Sequence, residues 1–401
     1  MKIVMAIVRV LASLLLVLFG LGAIGNFMPS LSVLGELGPV LNSFFGPWIV
    51  VLSLAGAVLM VRRWRGNRGK HTLIVAGLAG VAAVGGTWVQ VQQIRTAAAN
   101  GVSIDIASAF LAGSQKDESL RPVTINYAAY DGRQIPLDIY PLARRADSPA
   151  PVLVYIHGGG WGGQTRKQRQ ADYHWFADRG YLAIAVDYSL SSDKSHTWNV
   201  VEPQLGCALA WVAANAARYG GDPLRLAIWG ESAGGNLVLN VSYRANQGTL
   251  KSSCDGKLPH IDATMALYPV VDPARMYRPV DPLLGVFGRM MGDNYTGGSP
   301  EQFPGRYAAI ASSTHINPAA PPTLLIVPEA DHLVVPEAAF AFAAKARAAG
   351  IDTRLIKMPY AEHAFDLKSG GIGNQLVRQS MLHFLETHGL DSSSDIKKIS
   401  K

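Results

Sequence analysis

Three long apolar runs near the amino terminus constrain the fold of this chain more than any other feature of its sequence. They extend from Val10 to Met28, from Phe44 to Val61 and from Thr72 to Val89, and none contains a charged residue. At 1.5 Å per helical residue, runs of this length cross a bilayer core of about 30 Å. None has a polar face, and one cleaved signal peptide cannot explain three runs. We therefore expect a membrane domain over residues 1–92, with spans at about 10–28, 44–61 and 72–89; two spans after a removed signal peptide are the alternative.

Basic residues predict the orientation of these spans. Five of them lie between the second and third runs, whereas residues 29–43 contain no Lys or Arg. Loops rich in Lys and Arg stay in the cytoplasm, and Lys2 and Arg9 place the amino terminus there as well. Three spans then deliver everything after about residue 92 to the other side. The sequence predicts an integral protein of the plasma (inner) membrane whose remaining domain is periplasmic or extracellular.

The net charge and the cysteines exclude several classes of function. The formal net charge is +7, but residues 1–71 account for +6 of it, with Glu36 as their one acidic residue. A basic loop beside a membrane explains this charge, so no nucleic-acid partner is expected. Cys207 and Cys254 form neither a disulfide framework nor a metal site. A single disulfide between them is possible outside the cytoplasm.

A different pattern begins after a polar connector over residues 93–120. Two apolar strands flank the turn Tyr130–Arg133, and apolar strands then alternate with amphipathic segments of helical length up to residue 390. Such alternation predicts an α/β domain over residues 121–390, with a mainly parallel sheet and helices on both faces. The polar tail, residues 391–401, is predicted to be disordered.

The segment Gly230-Glu231-Ser232-Ala233-Gly234 lies where one of these strands meets a helix. A serine between two glycines at such a corner is typical of a nucleophile elbow, which exposes the hydroxyl at the positive end of the helix. The motif alone is weak evidence for a nucleophile, because an ordinary turn of small residues can have the same sequence pattern.

A second motif gives the serine its chemical context. His157-Gly158-Gly159-Gly160-Trp161 follows the strand Val152–Ile156. Acyl transfer creates an oxyanion that needs N–H donors, and glycines can present theirs without obstruction by side chains. We expect Gly158, Gly159 and Ala233 to supply these donors, since the residue after the nucleophile is the usual second source.

Together with Val186-Asp187-Tyr188 and Tyr219-Gly220-Gly221-Asp222-Pro223, these motifs resemble the α/β-hydrolase superfamily. The resemblance is to its carboxylesterase and lipase branch, which includes hormone-sensitive-lipase-like and feruloyl-esterase-like enzymes. It covers about residues 121–390 and not the membrane domain. Ser189, where relatives often have Arg, affects only a supporting contact.

The resemblance implies a catalytic triad in the chain order Ser, Asp, His. The turn Glu329-Ala330-Asp331 follows one late strand, and Glu362-His363-Ala364-Phe365 follows the next. The implied triad is Ser232, Asp331 and His363, with Ala364 in place of the usual Gly. Glu329 is the alternative acid and His332 the alternative base.

The segment 271–316 is too long for an ordinary connection between strands. It is either a packed extra helix or a cap over the acyl pocket, and a cap helix can serve both purposes. Trp161, Phe287 and Met290 are the residues that we expect to contact substrate.

The sequence therefore predicts a membrane-anchored carboxylic ester hydrolase that needs no metal and no cofactor, because no metal-binding spacing such as HExxH or CxxC occurs. Its substrate would be a small ester, with lipids among the candidates. An amidase or formamidase, a sugar deacetylase and a catalytically inactive receptor are the alternatives. A transporter is a weaker alternative, because the span cores contain no charged residue. The oligomeric state is not predicted.

Overall fold

The computed structural model describes residues 2–111, 113, 121–142, 148–278 and 284–392. The chain forms two compact units. The first, called here the helical unit, comprises Met1–Ser114, Pro328–His332 and Lys357–Val377. The second, the sheet unit, comprises Gln115–Val327, Leu333–Ile356 and Arg378–Lys401. The predicted disorder of the tail concerns residues 391–401, most of which lie outside the described residues.

Among the described residues, the amino-terminal part of the helical unit forms the long helices α1 (Lys2–Phe27), α2 (Ser32–Asn67) and α3 (Lys70–Ala99) and the short helix α4 (Ile106–Leu111). The three long helices are apolar and long enough to cross a membrane. Small residues, Ala79 and Ala82 among them, are fully buried along α3 and let the helices pack closely. Helix α2 already begins at Ser32, so most of the segment 29–43, which the sequence treats as a loop between spans, is helical.

The sheet unit is built around eight strands: β1 (Val123–Tyr130), β2 (Arg133–Tyr140), β3 (Ala150–Ile156), β4 (Leu182–Val186), β5 (Gly221–Glu231), β6 (Ala263–Leu267), β7 (Thr323–Pro328) and β8 (Thr353–Met358). Their order across the sheet is β1-β2-β4-β3-β5-β6-β7-β8. Strands β1 and β2 form an antiparallel hairpin, and β2 also pairs antiparallel with β4. Strands β4, β3, β5, β6 and β7 run parallel to one another. The predicted sheet is confirmed.

Eight helices accompany the strands: α5 (Gln170–Ala177), α6 (Val201–Asn215), α7 (Ala233–Gln247), α8 (Pro273–Tyr277), α9 (Leu284–Thr296), α10 (Pro304–Ile310), α11 (Pro336–Ala348) and α12 (Ile372–Thr387). Every residue of β3, β4 and β6 is buried, as expected for strands covered on both faces. Cys207 on α6 and Cys254 form a disulfide with a Cα–Cα distance of 5.3 Å.

Candidate active site

Ser232 occupies a strained corner between β5 and α7. Its φ and ψ are 54° and −120°, a region that L-residues rarely adopt unless the surroundings hold them there. Its N–H donates to the carbonyl of Leu267 at 2.9 Å. A Cβ on Gly234 would come within 2.2 Å of the carbonyl oxygen of Ile156, so only glycine fits there. The structure therefore places Ser232 in the predicted elbow.

A buried ion network lies beside this corner. Glu231 is 4% exposed, and its carboxylate accepts from the hydroxyl of Tyr155 and from Nε of Arg169, each at 2.7 Å. The same guanidinium donates to the hydroxyl of Tyr268 at 2.6 Å. Because a buried carboxylate without partners is costly, this network fixes the end of β5 from which the serine projects.

The glycine loop passes next to the serine. A Cβ on Gly158 would lie 3.3 Å from Cβ of Ser232, and Gly159 has a φ of +95° that favours glycine. In the part of the chain that the structure describes, the N–H groups of Gly158 and Gly159 donate to no backbone oxygen. Ala233 is the first residue of α7, so its N–H has no acceptor one turn earlier. These three groups are available as the predicted oxyanion donors.

His157 and Tyr188 hold the glycine loop in place through hydrogen bonds to its carbonyl groups. His157 is buried, stacks on Tyr188 at 4.2 Å and donates from Nδ1 to the carbonyl of Gly158 at 2.8 Å. The Tyr188 hydroxyl donates to the carbonyl of His157 at 2.9 Å. Burial lowers the pKa of His157, so a neutral imidazole is expected there. Asp187 accepts from Arg166 at 2.6 Å and lies 3.7 Å from Nε2 of His157.

Asp331 and His363 lie together in the helical unit. His363 Nδ1 donates to Asp331 Oδ2 at 2.8 Å, and the Asp331 side chain is fully buried. Such a bond fixes the tautomer and the orientation of a catalytic imidazole. The alternative acid, Glu329, is exposed. The alternative base, His332, is bonded through both ring nitrogens. The geometry therefore favours the predicted pair.

The three residues expected to contact substrate differ in exposure. Trp161 is fully buried and its ring stacks on Tyr295 of α9 at 4.5 Å, so it links the glycine loop to the predicted cap. Phe287 and Met290 are about half exposed on α9. Contact of all three with substrate stays a prediction. Five residues of the predicted cap, 279–283, lie outside the described residues.

Within the described residues there is no cluster of three His, Cys, Asp or Glu side chains that could hold a metal ion. The structure presents a strained serine with nearby N–H donors in the sheet unit and an aspartate–histidine pair in the helical unit. Several supporting residues escaped sequence reasoning, namely Arg166, Arg169, Glu231, Glu362 and the supporting role of His332. Most of their partners are distant in sequence, although Glu231 and Glu362 lie inside the serine and histidine motifs themselves.

A mainly parallel sheet accompanied by helices, with a serine elbow after β5, gives the sheet unit the architecture of α/β hydrolases. The chain falls within their carboxylesterase and lipase branch. The BD-FAE family model matches residues 137–346, which is more than half of the chain, and the protein belongs to that family.

Two curated proteins illustrate the branch. The esterase LipQ of Mycobacterium tuberculosis is 30% identical over 263 residues, which cover 63% of this chain and 59% of LipQ. Human hormone-sensitive lipase is 31% identical over 149 residues, covering 37% of this chain and 14% of the lipase. The match thus spans little more than half the length of LipQ.

Solved structures agree on the fold. Est2, an esterase of Thermogutta terrifontis determined with propionate bound, superposes with a TM-score of 0.57 and 23% identity over 70% of this chain and 99% of its own. The esterase LipW of Mycobacterium marinum gives a TM-score of 0.52 and 23% identity over 84% and 90%. At such identities the likeness concerns the fold alone.

Proposed function

We propose that this protein is a membrane-anchored serine hydrolase that cleaves carboxylic esters with Ser232, His363 and Asp331 as its triad. The observation that carries the proposal is the 2.8 Å bond between His363 and the fully buried carboxylate of Asp331. The elbow at Ser232 supports it, as does the chain order. These three residues follow β5, β7 and β8, and ligands of open α/β sheets bind outside the carboxyl ends of the strands.

Acylation begins when His363 removes the proton of the Ser232 hydroxyl, which is a weak nucleophile without a base. The oxygen attacks the ester carbonyl and forms a tetrahedral oxyanion. The N–H groups of Gly158, Gly159 and Ala233 stabilise that charge. Collapse breaks the ester C–O bond, and the leaving alcohol takes its proton from His363.

Deacylation repeats these steps with water. His363 takes a proton from a water molecule that attacks the acyl carbon. Collapse of the second tetrahedral intermediate breaks the bond between the acyl carbon and Oγ of Ser232, the carboxylic acid leaves, and His363 returns its proton to Oγ. Asp331 stays ionised throughout and stabilises the imidazolium that forms in both halves. Loss of one oxyanion donor typically lowers turnover by about 10²–10³.

The anchor and the location of the sheet unit are part of the proposal. The helices α1, α2 and α3 form the membrane domain, and the segment 271–316 forms the cap. A location outside the cytoplasm is supported by the Cys207–Cys254 disulfide, because such bonds persist in oxidising compartments. The substrate is a small ester, and lipid esters are the candidates that a membrane brings closest.

A fluorophosphonate probe tests the nucleophile, because it bonds covalently to activated serines. We expect the full-length wild type to be labelled and Ser232→Ala to be neither labelled nor active on p-nitrophenyl esters. Ser242→Ala is the matched control, since Ser242 is a buried serine of the same helix α7. Labelling of Ser232→Ala at the wild-type rate would overturn the assignment.

A substrate panel separates ester hydrolysis from the alternative activities. Esters of graded acyl length, the corresponding anilides, N-formyl compounds and acetylated sugars would be compared by kcat/KM. We expect the esters to react fastest. A preference for anilides or formamides would keep the triad and change the reaction class.

A further inference from the structure

One buried carboxylate joins the two turns that hold Asp331 and His363. Glu362 is 4% exposed, and its Oε1 accepts from the N–H of His332 and from the N–H of His363, each at 2.8 Å. His332 directly follows Asp331. A single side chain is therefore bonded to the proposed base and to the neighbour of the proposed acid.

His332 extends this connection to the long helices. Its Nδ1 lies 2.5 Å from Glu362 Oε2, and its Nε2 lies 2.8 Å from the carbonyl oxygen of Pro29, between α1 and α2. Both of these oxygens can only accept, so both ring nitrogens must donate, and only the imidazolium form can do that. The hydrogen bond to Glu362, with Glu36 of α2 adding its charge, raises the pKa of His332 to about 9. His332 consequently has no lone pair with which to act as a base.

Helices α1 and α3 hold the same turn through other contacts. The Tyr360 ring meets Phe27 edge-on at 5.4 Å, and its hydroxyl accepts from Nε1 of Trp88 at 3.2 Å. Gln93 donates from Nε2 to the carbonyl of Pro359 at 3.2 Å. Tyr360 has a φ of +54°, a conformation that a non-glycine residue keeps only where its surroundings enforce it.

We propose that Glu362 and His332 are positioning residues for the aspartate–histidine pair, and that the long helices hold the catalytic turn in place besides anchoring the chain. The inference rests on the proposed function, in which His363 is the base. Displacement of a catalytic group by about 1 Å can lower the rate by about 10²-fold. Contacts that fix the turn 359–363 therefore affect turnover even though they do not touch the substrate.

The test compares variants of the full-length protein in detergent micelles with a p-nitrophenyl ester. Glu362→Ala removes the acceptor of two backbone N–H groups, and we expect kcat to fall by about 10- to 100-fold with little change in KM. Glu362→Gln keeps an oxygen for those N–H groups and should restore much of the loss. His332→Gln and Gln93→Leu should each lower kcat by a smaller factor. Gln93→Leu removes the hydrogen bond that α3 donates to the carbonyl of Pro359.

Two variants in the sheet unit serve as matched controls. His388 has the same kind of partners as His332, because its ring nitrogens face the carbonyl of Phe384 and the carboxylate of Asp352. Glu202 is a buried carboxylate paired with Arg244. We expect His388→Gln and Glu202→Gln to keep the wild-type kcat.

The outcomes separate this inference from the proposed function. If Ser232→Ala and His363→Ala abolish activity while Glu362→Ala, His332→Gln and Gln93→Leu all keep the wild-type kcat, the positioning role is wrong and the triad stands. If Ser232→Ala stays active, the proposed function is wrong. Should Glu362→Ala fail to fold, His332→Gln and Gln93→Leu still decide, because each removes a hydrogen bond that holds the turns and leaves the side-chain volume nearly unchanged.

Discussion

Among the histidines of the site, His332 has surroundings that keep it charged. The carboxylate of Glu362 accepts from one nitrogen of its imidazole, the carbonyl of Pro29 accepts from the other, and the charge of Glu36 adds to their effect, while the neighbouring Asp331 accepts from His363. A group whose pKa is raised on folding stabilises the folded state while it is protonated. This stabilisation is complete below the unfolded value of about 6.5 and is lost as pH rises through about 9.

We therefore predict that the melting temperature of the wild type exceeds that of His332→Gln at pH 6.5, and that the difference shrinks between pH 8 and 10. Other groups that titrate in this range do so in both proteins, so their effect on the melting temperature cancels when the two proteins are compared at the same pH. Differential scanning fluorimetry of both proteins across the pH series measures the effect. A difference that stays constant up to pH 10 would contradict a charged His332.

The serine and its glycines were predictable from sequence because their backbone geometry demands those residue types. At Gly234 the carbonyl of Ile156 excludes any Cβ, and at Ser232 the strained φ needs small neighbours. The role of His332 was not predictable. Its acceptor Pro29 lies 303 residues away, and sequence reasoning could only rank it as an alternative base.

At the level of elements, the strands were predicted more closely than the helices. The buried runs that became β4 and β7 stand out because strands covered on both faces are continuously apolar. The start of α2 was missed because the apolar run begins only at Phe44, whereas the helix extends back through more polar residues to Ser32 and contains Pro39 and Pro47. In membrane helices, neighbouring helices can satisfy the backbone groups that a proline frees.

Helix α9 is the element whose proposed function is easiest to test. It presents Val286, Phe287 and Met290 to solvent, each about half exposed, on the segment that we propose as a cap. If this face lines the acyl site, Phe287→Ala and Met290→Ala remove apolar contact that only long chains use. We expect kcat/KM for octanoate esters to fall by about tenfold and that for acetate to stay unchanged.

Leu224→Ala is the control for these cap variants. Leu224 is 84% exposed on β5, in its amino-terminal half, far along the strand from Ser232. We expect it to leave the dependence on acyl length unchanged. An equal loss for acetate and octanoate in the α9 variants would indicate that the helix serves packing only.

For the whole molecule, the contacts within the helical unit lead to a test of the orientation that the charges predict. The residues that hold the turn 359–363 come from the end of α1, from the α1–α2 connection and from the second half of α3. The basic residues 62–70 lie at the opposite ends of α2 and α3. Because consecutive spans alternate in direction, we expect the first group to lie on one side of the membrane and the basic group on the other.

Single cysteines on the two sides test this orientation directly. The chain contains only Cys207 and Cys254, which are bonded to each other, so the background of free thiol is low. Gly66 lies at the basic end of α2 with no atom within 4 Å of an added Cβ, and Leu224 is 84% exposed in the sheet unit. In intact spheroplasts, a membrane-impermeant maleimide should label Leu224→Cys and should label Gly66→Cys only after lysis. The reverse pattern would place the hydrolase domain in the cytoplasm, where a lasting disulfide would be unexpected.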